Sequence, residues 1–237
     1  MDREPPRQFV LDLDPAPRYG ADDYLVTPAV AAAHALVASW PGWPQRALLV
    51  AGPPGAGKSH LASLWSERTG AAIIPAARLG EADLAGFGAD AALVVEDVDG
   101  AEVSERALFH LMNLTRERPL WTLLTSGREP TLIWPGLPDL ASRLRALPVA
   151  RLEPPDDALM RAVLVKLFHD RQLAVEEGVV DAIARHIDRS IGAARQAVAA
   201  IDREALAIGR RVGRRVAMRV IARLHAVEDD DDGPEEP

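Results

Sequence analysis

From Tyr24 to about Arg151 the chain alternates between two hydrophobic rhythms. Ala47-Leu48-Leu49-Val50-Ala51 is apolar without interruption, and Ala91–Val95, Leu120–Thr125 and Val149–Leu152 are nearly so. Apolar runs this short, bounded by turn residues, predict strands buried on both faces. Arg46–Ala51 is the first such strand, and Ala71–Ile74 reads as a shorter one. Between them the period lengthens. Val103–Glu117 returns apolar side chains at Leu108, Leu111 and Leu114, and Lys58–Arg68 also reads as a helix. Thr27-Pro28 opens an earlier helix, with Thr as N-cap and Pro in the first turn. Strands alternating with helices predict an α/β unit, a parallel sheet with helices on both faces.

The pattern changes after Pro154-Pro155, where no further strand is expected. Leu159, Val163 and Leu167 recur at helical spacing, then Val180, Ile183 and Ile187. Ala194, Val198, Ile201, Ala205 and Ile208 continue the pattern, and Val212, Val216, Val220 and Leu224 mark a last helix. Each helix has one apolar stripe, which predicts a small all-helical domain. The expected organisation is an arm at 1–18, punctuated by Pro5, Pro6, Pro15 and Pro17, an α/β domain at 19–153, a helical domain at 154–226 and an acidic tail at 227–237.

Composition narrows the class of protein. At 237 residues, with 48% apolar and 26% charged side chains, the chain has the balance of a soluble protein with a real core. The absence of cysteine excludes disulfides and thiolate metal sites. The start lacks the apolar core of a signal peptide, and no run approaches the ~18 residues of a membrane span. A cytoplasmic location and no membrane partner are expected. The net charge of −8 comes almost entirely from the seven acids of Glu228–Glu236, so the body is near neutral.

Gly52-Pro53-Pro54-Gly55-Ala56-Gly57-Lys58-Ser59, followed by His60, stands between an expected strand and an expected helix. That is the context a phosphate-binding loop requires. Gly55 and Gly57 let backbone pass close to phosphate, where a Cβ would collide or forbid the φ angles. Backbone N–H groups and the positive helix end then face the anion. Lys58 is expected on the β- and γ-phosphates and Ser59 on Mg²⁺. The cofactor is therefore expected to be ADP or ATP with Mg²⁺.

Such a loop needs a carboxylate near the metal. Glu96-Asp97 closes the apolar strand Ala92-Leu93-Val94-Val95. Glu96 is expected to hold Mg²⁺ through water, and Asp97 to orient an attacking water. The usual order is Asp then Glu; the shorter Asp97 predicts weak hydrolysis by this chain itself. At the next strand end, Thr125 either senses a γ-phosphate or holds a Thr/Ser/Gly turn. Farther on, Arg143 is either an arginine finger for a nucleotide on another subunit or a solvated, salt-bridged side chain.

Together these residues resemble AAA+ ATPases, and within them the Hda family of DnaA-related replication regulators. The resemblance covers about residues 8–226. It rests on Tyr24-Leu25-Val26, GPPGAGKSHLA, LVVEDVD, LLTSGREP, and LPDLASRLR followed by LEPPDD. It implies an AAA+ P-loop NTPase with a helical lid, and an adenine pocket lined by Tyr24, Leu25 and Val26. It implies that Arg143 acts on a neighbour's nucleotide. The lid position usually held by a phosphate-sensing Arg falls at Gly192, so Arg195 or Arg189 would substitute, and Gly127 stands where relatives often carry Asp.

Two features favour Hda over DnaA. Only the acidic tail follows the helical domain, where DnaA continues into a helix-turn-helix, so no sequence-specific DNA-binding domain is expected. Gln8, Leu11 and Leu13 fit the Q-x-x-L-x-L arm that such proteins insert into the sliding clamp (β subunit) of DNA polymerase III. The function implied is a clamp-bound regulator that stimulates hydrolysis of DnaA-bound ATP and restrains initiation. Its partners would be DnaA, the clamp and a further copy of itself. The alternative is a helicase-loader-like ATPase acting directly on DNA, for which Arg211, Arg215, Arg219 and Arg223 form a stripe spaced by four. That stripe also reads as a solvated helix face. No histidine pairs at metal-ligand spacing, and Trp40, Trp43, Trp65, Trp121 and Trp134 read as packing anchors.

Overall fold

The computed structural model describes residues 25–81, 84, 86–88, 91–133, 136–176, 178–208 and 213–231. Gln8, Leu11, Leu13, Tyr24, Trp134, Arg211 and Val212 lie outside the described residues. The chain divides into an α/β unit that ends at Pro154 and a helical unit that begins at Pro155.

In the α/β unit, β1 (Ala47–Ala51), β2 (Ala72–Pro75), β3 (Ala92–Glu96), β4 (Trp121–Ser126) and β5 (Val149–Arg151) form one sheet ordered β2-β3-β4-β1-β5. Every pairing is parallel. The uninterrupted apolar runs sit at its centre. Leu48, Leu49, Leu93, Leu123 and Leu124 are all fully buried, each contributing ~1.5–3 kcal/mol relative to exposure. Edge strand β2 leaves Ala72, Ile73 and Pro75 exposed.

The helices are α1 (Pro28–Ala38), α2 (Lys58–Thr69), α3 (Glu105–Glu117) and α4 (Pro138–Arg145). Helix α3 starts two residues later than its apolar period suggests. Ser104 caps it, its Oγ accepting the Ala107 N–H at 3.3 Å. Thr27 occupies the N-cap position of α1 but makes no side-chain cap. The Val30 and Ala31 N–H groups instead bond its carbonyl, at 3.1 and 2.9 Å. Helix α4 is an element the hydrophobic pattern did not single out. Pro138 in its first turn and the buried pair Leu140 and Leu144 account for it. Trp40, Trp43, Trp65 and Trp121 do serve as packing anchors. Trp40 and Trp43 each contact both Trp65 and Trp121, with ring centroids 5.1–6.5 Å apart.

The helical unit contains α5 (Asp157–Asp170), α6 (Val179–Ala184), α7 (Ile191–Ile208) and α8 (Arg214–Asp231). Asp156 caps α5, its Oδ1 accepting the Leu159 N–H at 2.7 Å. Leu159 and Val163 of α5 are buried as the period predicts, with Leu164 also buried and Leu167 only half-buried, and α5 packs on α7, where Ala194, Val198 and Ile201 are buried. On α8 the buried side chains are Ala217, Val220 and Ile221. Of the expected stripe Val220 is buried, while Val216 and Leu224 are half-buried beside the buried Ala217 and Ile221. The helix runs through Glu228 to Asp231, so the acidic run begins as a helical extension, not as the free tail expected from 227. Propagating an existing helix adds one hydrogen bond per residue fixed, which outweighs the unfavourable placement of acids at its C-terminus.

Candidate nucleotide-binding site

The carboxyl ends of the central strands carry the Gly52–Ser59 loop, Glu96 with Asp97, and Thr125. In the register, Ala51 of β1 lies opposite Ser126 of β4 on one side and Arg151 of β5 on the other. Strand β3, which ends at Glu96, is the next beyond β4. Strand β1 feeds α2 and the chain continues to the far edge at β2, whereas β5 lands on the opposite side of β1. Ligands of open α/β sheets bind where strand order reverses in this way.

The loop between β1 and α2 has the backbone its glycines foretell. Gly55 has φ +72° and Gly57, the N-cap of α2, has φ +98°. Both lie in the left-handed region that glycine adopts without strain. Gly52 is required for a different reason. A Cβ there would come within 2.5 Å of the Leu152 carbonyl oxygen, because the loop leaves β1 pressed against the end of β5. Lys58 is buried, and its Nζ donates to the carbonyls of Gly52 at 2.8 Å and Pro53 at 3.0 Å. Burial lowers the Lys58 pKa from the ordinary lysine value, while the carboxylates of Asp97, Asp99 and Glu96 act in the opposite sense. Ala56 and His60 are buried, Pro53 is half-buried, and Pro54 and Ser59 are exposed.

Glu96 is half-buried at the end of β3, and Asp97 follows it exposed, with φ +57°. For a non-glycine residue that conformation is costly unless its surroundings impose it. Here Thr125 imposes it. Its Oγ1 accepts the Asp97 N–H at 3.0 Å, and its carbonyl accepts the Val98 N–H at 2.9 Å. Thr125 is buried and its hydroxyl holds the turn after β3, a role different from both of those expected of it.

Asp99 is a residue that the hydrophobic pattern and the loop motif both passed over. Its Oδ1 accepts the Gly127 N–H at 3.0 Å, and its Oδ2 lies 3.9 Å from Arg128 Nε. It therefore ties the turn after β3 to the turn after β4. A Cβ on Gly127 would meet Asp99 Oδ2 at 3.2 Å, so the missing side chain at 127 is the space that this carboxylate uses. The turn composition of Asp97-Val98-Asp99-Gly100 was the available signal.

Arg143 occupies the last turn of α4, half-buried. Its guanidinium carbon lies 4.7 Å from the centre of the Phe109 ring, and its Nη1 donates to the Met112 carbonyl at 3.4 Å. Among the described residues it is neither fully solvated nor salt-bridged, but racked against α3. Glu105 secures the start of α4, its two oxygens accepting the N–H groups of Gly136 at 2.7 Å and Leu137 at 3.1 Å. Leu25 is half-buried and Val26 is 54% exposed just before α1. Arg195 is half-buried on α7, one turn beyond Gly192, and Arg189 pairs with Asp157 at 2.9 Å. Arg219 and Arg223 both reach Glu204 of α7, at 3.2 and 3.5 Å, so one carboxylate within the helical unit is shared by two arginines of the expected basic stripe. Among the described residues no group of three or more His, Asp or Glu is placed to hold a metal by itself, and no helix is long and apolar enough to cross a membrane.

The donor set fits a nucleotide phosphate with Mg²⁺: left-handed glycines at a helix N-terminus, a lysine ammonium among them, a hydroxyl at Ser59, and carboxylates close enough to act on Lys58. No family model matches the chain. The chain is 28% identical to the chromosomal replication initiator protein DnaA of Thermomicrobium roseum, an alignment covering 74% of this chain and 43% of that protein. It thus spans less than half the length of that relative. Its fold is that of domain III of the Thermotoga maritima replication initiation protein DnaA (TM-score 0.72, 20% identity, 85% of this chain and 95% of that one). A point mutant of Thermotoga maritima RuvB is similar as well (TM-score 0.68, 14% identity, 86% and 72%). The fold is therefore the one that these two solved structures share, a parallel α/β unit followed by a helical unit.

Proposed function

We propose that this chain is a nucleotide-binding AAA+ regulator of replication initiation that offers Arg143 to ATP held by a DnaA-type initiator and so promotes its hydrolysis. The observation that carries the nucleotide part is the loop: two left-handed glycines bracketing the turn into α2, with Lys58 inside it. The backbone from Gly52 to Lys58 would hold the phosphates, and Ser59 and Glu96 would hold Mg²⁺. When bound, ADP or ATP supplies a polyphosphate that neutralises the Lys58 charge and orders the loop. Asp97 is too short and too exposed to orient water efficiently, which suits a protein that acts on another's ATP.

The similarity to DnaA supports the choice of partner, since AAA+ arginines act across subunit boundaries of like build. The arm residues Gln8, Leu11 and Leu13 would fix the protein to the sliding clamp. A loader-like ATPase that grips DNA is less well supported, because Glu204 already pairs with Arg219 and Arg223.

The test is hydrolysis of ATP preloaded on DnaA, with and without this protein, ADP and clamp-loaded DNA. Stimulation is expected to fall by about 10³-fold in R143A, with ADP affinity within twofold of the unsubstituted chain. Full stimulation by R143A would remove Arg143 from the reaction. DNA-stimulated ATPase activity without DnaA would favour the loader.

A further inference from the structure

Arg143 is not left to find its own conformation. Phe109 and Met112 stand one turn apart on α3 and both meet the guanidinium, the ring centre 4.7 Å from its carbon and the Met112 carbonyl 3.4 Å from its Nη1. Phe109 itself packs, half-buried, on the core of the α/β unit, so its ring is a fixed surface. The opposite end of α4 is held by the same helix, through the bidentate acceptance of the Gly136 and Leu137 N–H groups by Glu105. Helix α3 therefore grips both the start of α4 and the functional side chain near its end.

We propose that Phe109 is a positioning residue for Arg143: its ring holds the guanidinium in the orientation in which it meets the partner's nucleotide. This rests on the function proposed above. The chemistry favours a rack over a latch. The cation–π contact sets the guanidinium carbon over the ring face and is not one of its conventional N–H···O bonds, whose donors point outward in the guanidinium plane. One of the five is directed to Met112, and the others keep their edge for phosphate oxygens. An arginine already held in one rotamer loses less conformational freedom when it engages an anion.

The test compares the full chain with F109M, F109Y, R143A and F109M/R143A in the DnaA-bound ATP hydrolysis assay, with ADP affinity measured for each. Met keeps the apolar volume and removes the aromatic face, so folding and ADP affinity should hold. F109M is expected to lower stimulation about threefold to tenfold. F109Y, which restores a ring, should stay within twofold of the unsubstituted chain. F109M should add nothing in the R143A background. Equal or greater stimulation by F109M overturns the proposal, as does a loss that Tyr does not prevent, or a further loss in the double variant. Absence of stimulation by the unsubstituted chain overturns the proposed function and this inference with it; a normal unsubstituted rate with an unaffected F109M overturns the Phe109 role alone.

Discussion

The ammonium of Lys58 is the most exacting single group in the α/β unit. Burial holds its pKa below the ordinary lysine value. A lysine whose folded pKa is depressed costs stability wherever both folded and unfolded states carry the charge. That cost is relieved as pH rises through the depressed pKa toward the unfolded value of ~10.4, because the unfolded chain then binds more protons. In nucleotide-free protein, the difference in unfolding free energy between the unsubstituted chain and K58M should therefore move in favour of lysine as pH rises from 7 to 10. Urea midpoints across that range would show it, and a flat difference would contradict it. The motif that names Lys58 was legible because it is local: glycines at fixed offsets before a helix. The turn-tying role of Asp99 was not, because it depends on a backbone N–H that lies 28 residues away on another strand end.

At the level of elements, α4 shows what hydrophobic periodicity misses. The helix has eight residues and two buried side chains, too few turns for a period to stand out. Its stability comes from tertiary anchoring, through buried Leu140 and Leu144 and through the Glu105 carboxylate at its start. Glu105→Gln removes the charge and one of the two oxygen acceptors facing Gly136 and Leu137. The expected cost is about 1 kcal/mol in urea denaturation, with faster hydrogen exchange at those two amides and little change along α2. Unchanged exchange would show that α4 is held by Leu140 and Leu144 alone. The long strands and α3 were legible because their signals repeat over many residues. The burial of Ala217 and Ile221 on α8 was not, because which of several adjacent apolar positions turns inward depends on the helices it packs against.

For the molecule as a whole, nucleotide binding should be visible as stability. A ligand that binds only the folded state at about 100 times its Kd adds about 2.7 kcal/mol. ADP with Mg²⁺ at that excess is expected to raise the unfolding midpoint of the unsubstituted chain and to leave K58A nearly unmoved, as read by differential scanning calorimetry. An equal rise in K58A would place the ligand elsewhere. If the transition resolves into two, the shift should belong to the α/β unit, which contains the loop and the carboxylates.

By itself the amino-acid order determined whatever depends on neighbours along the chain: the alternation of strand and helix, the change of rhythm at Pro154-Pro155, and a loop whose glycines must take positive φ. Only the tertiary structure decided which carboxylates bear on Lys58, why Asp97 accepts a strained conformation, and that Arg143 lies on Phe109. These pairings join residues 28 to 31 positions apart where they are hydrogen-bonded. They follow from the strand order β2-β3-β4-β1-β5 and from which helix packs beside which. Hydrophobic periodicity specifies which face of an element is buried; it carries no information about the neighbour that buries it.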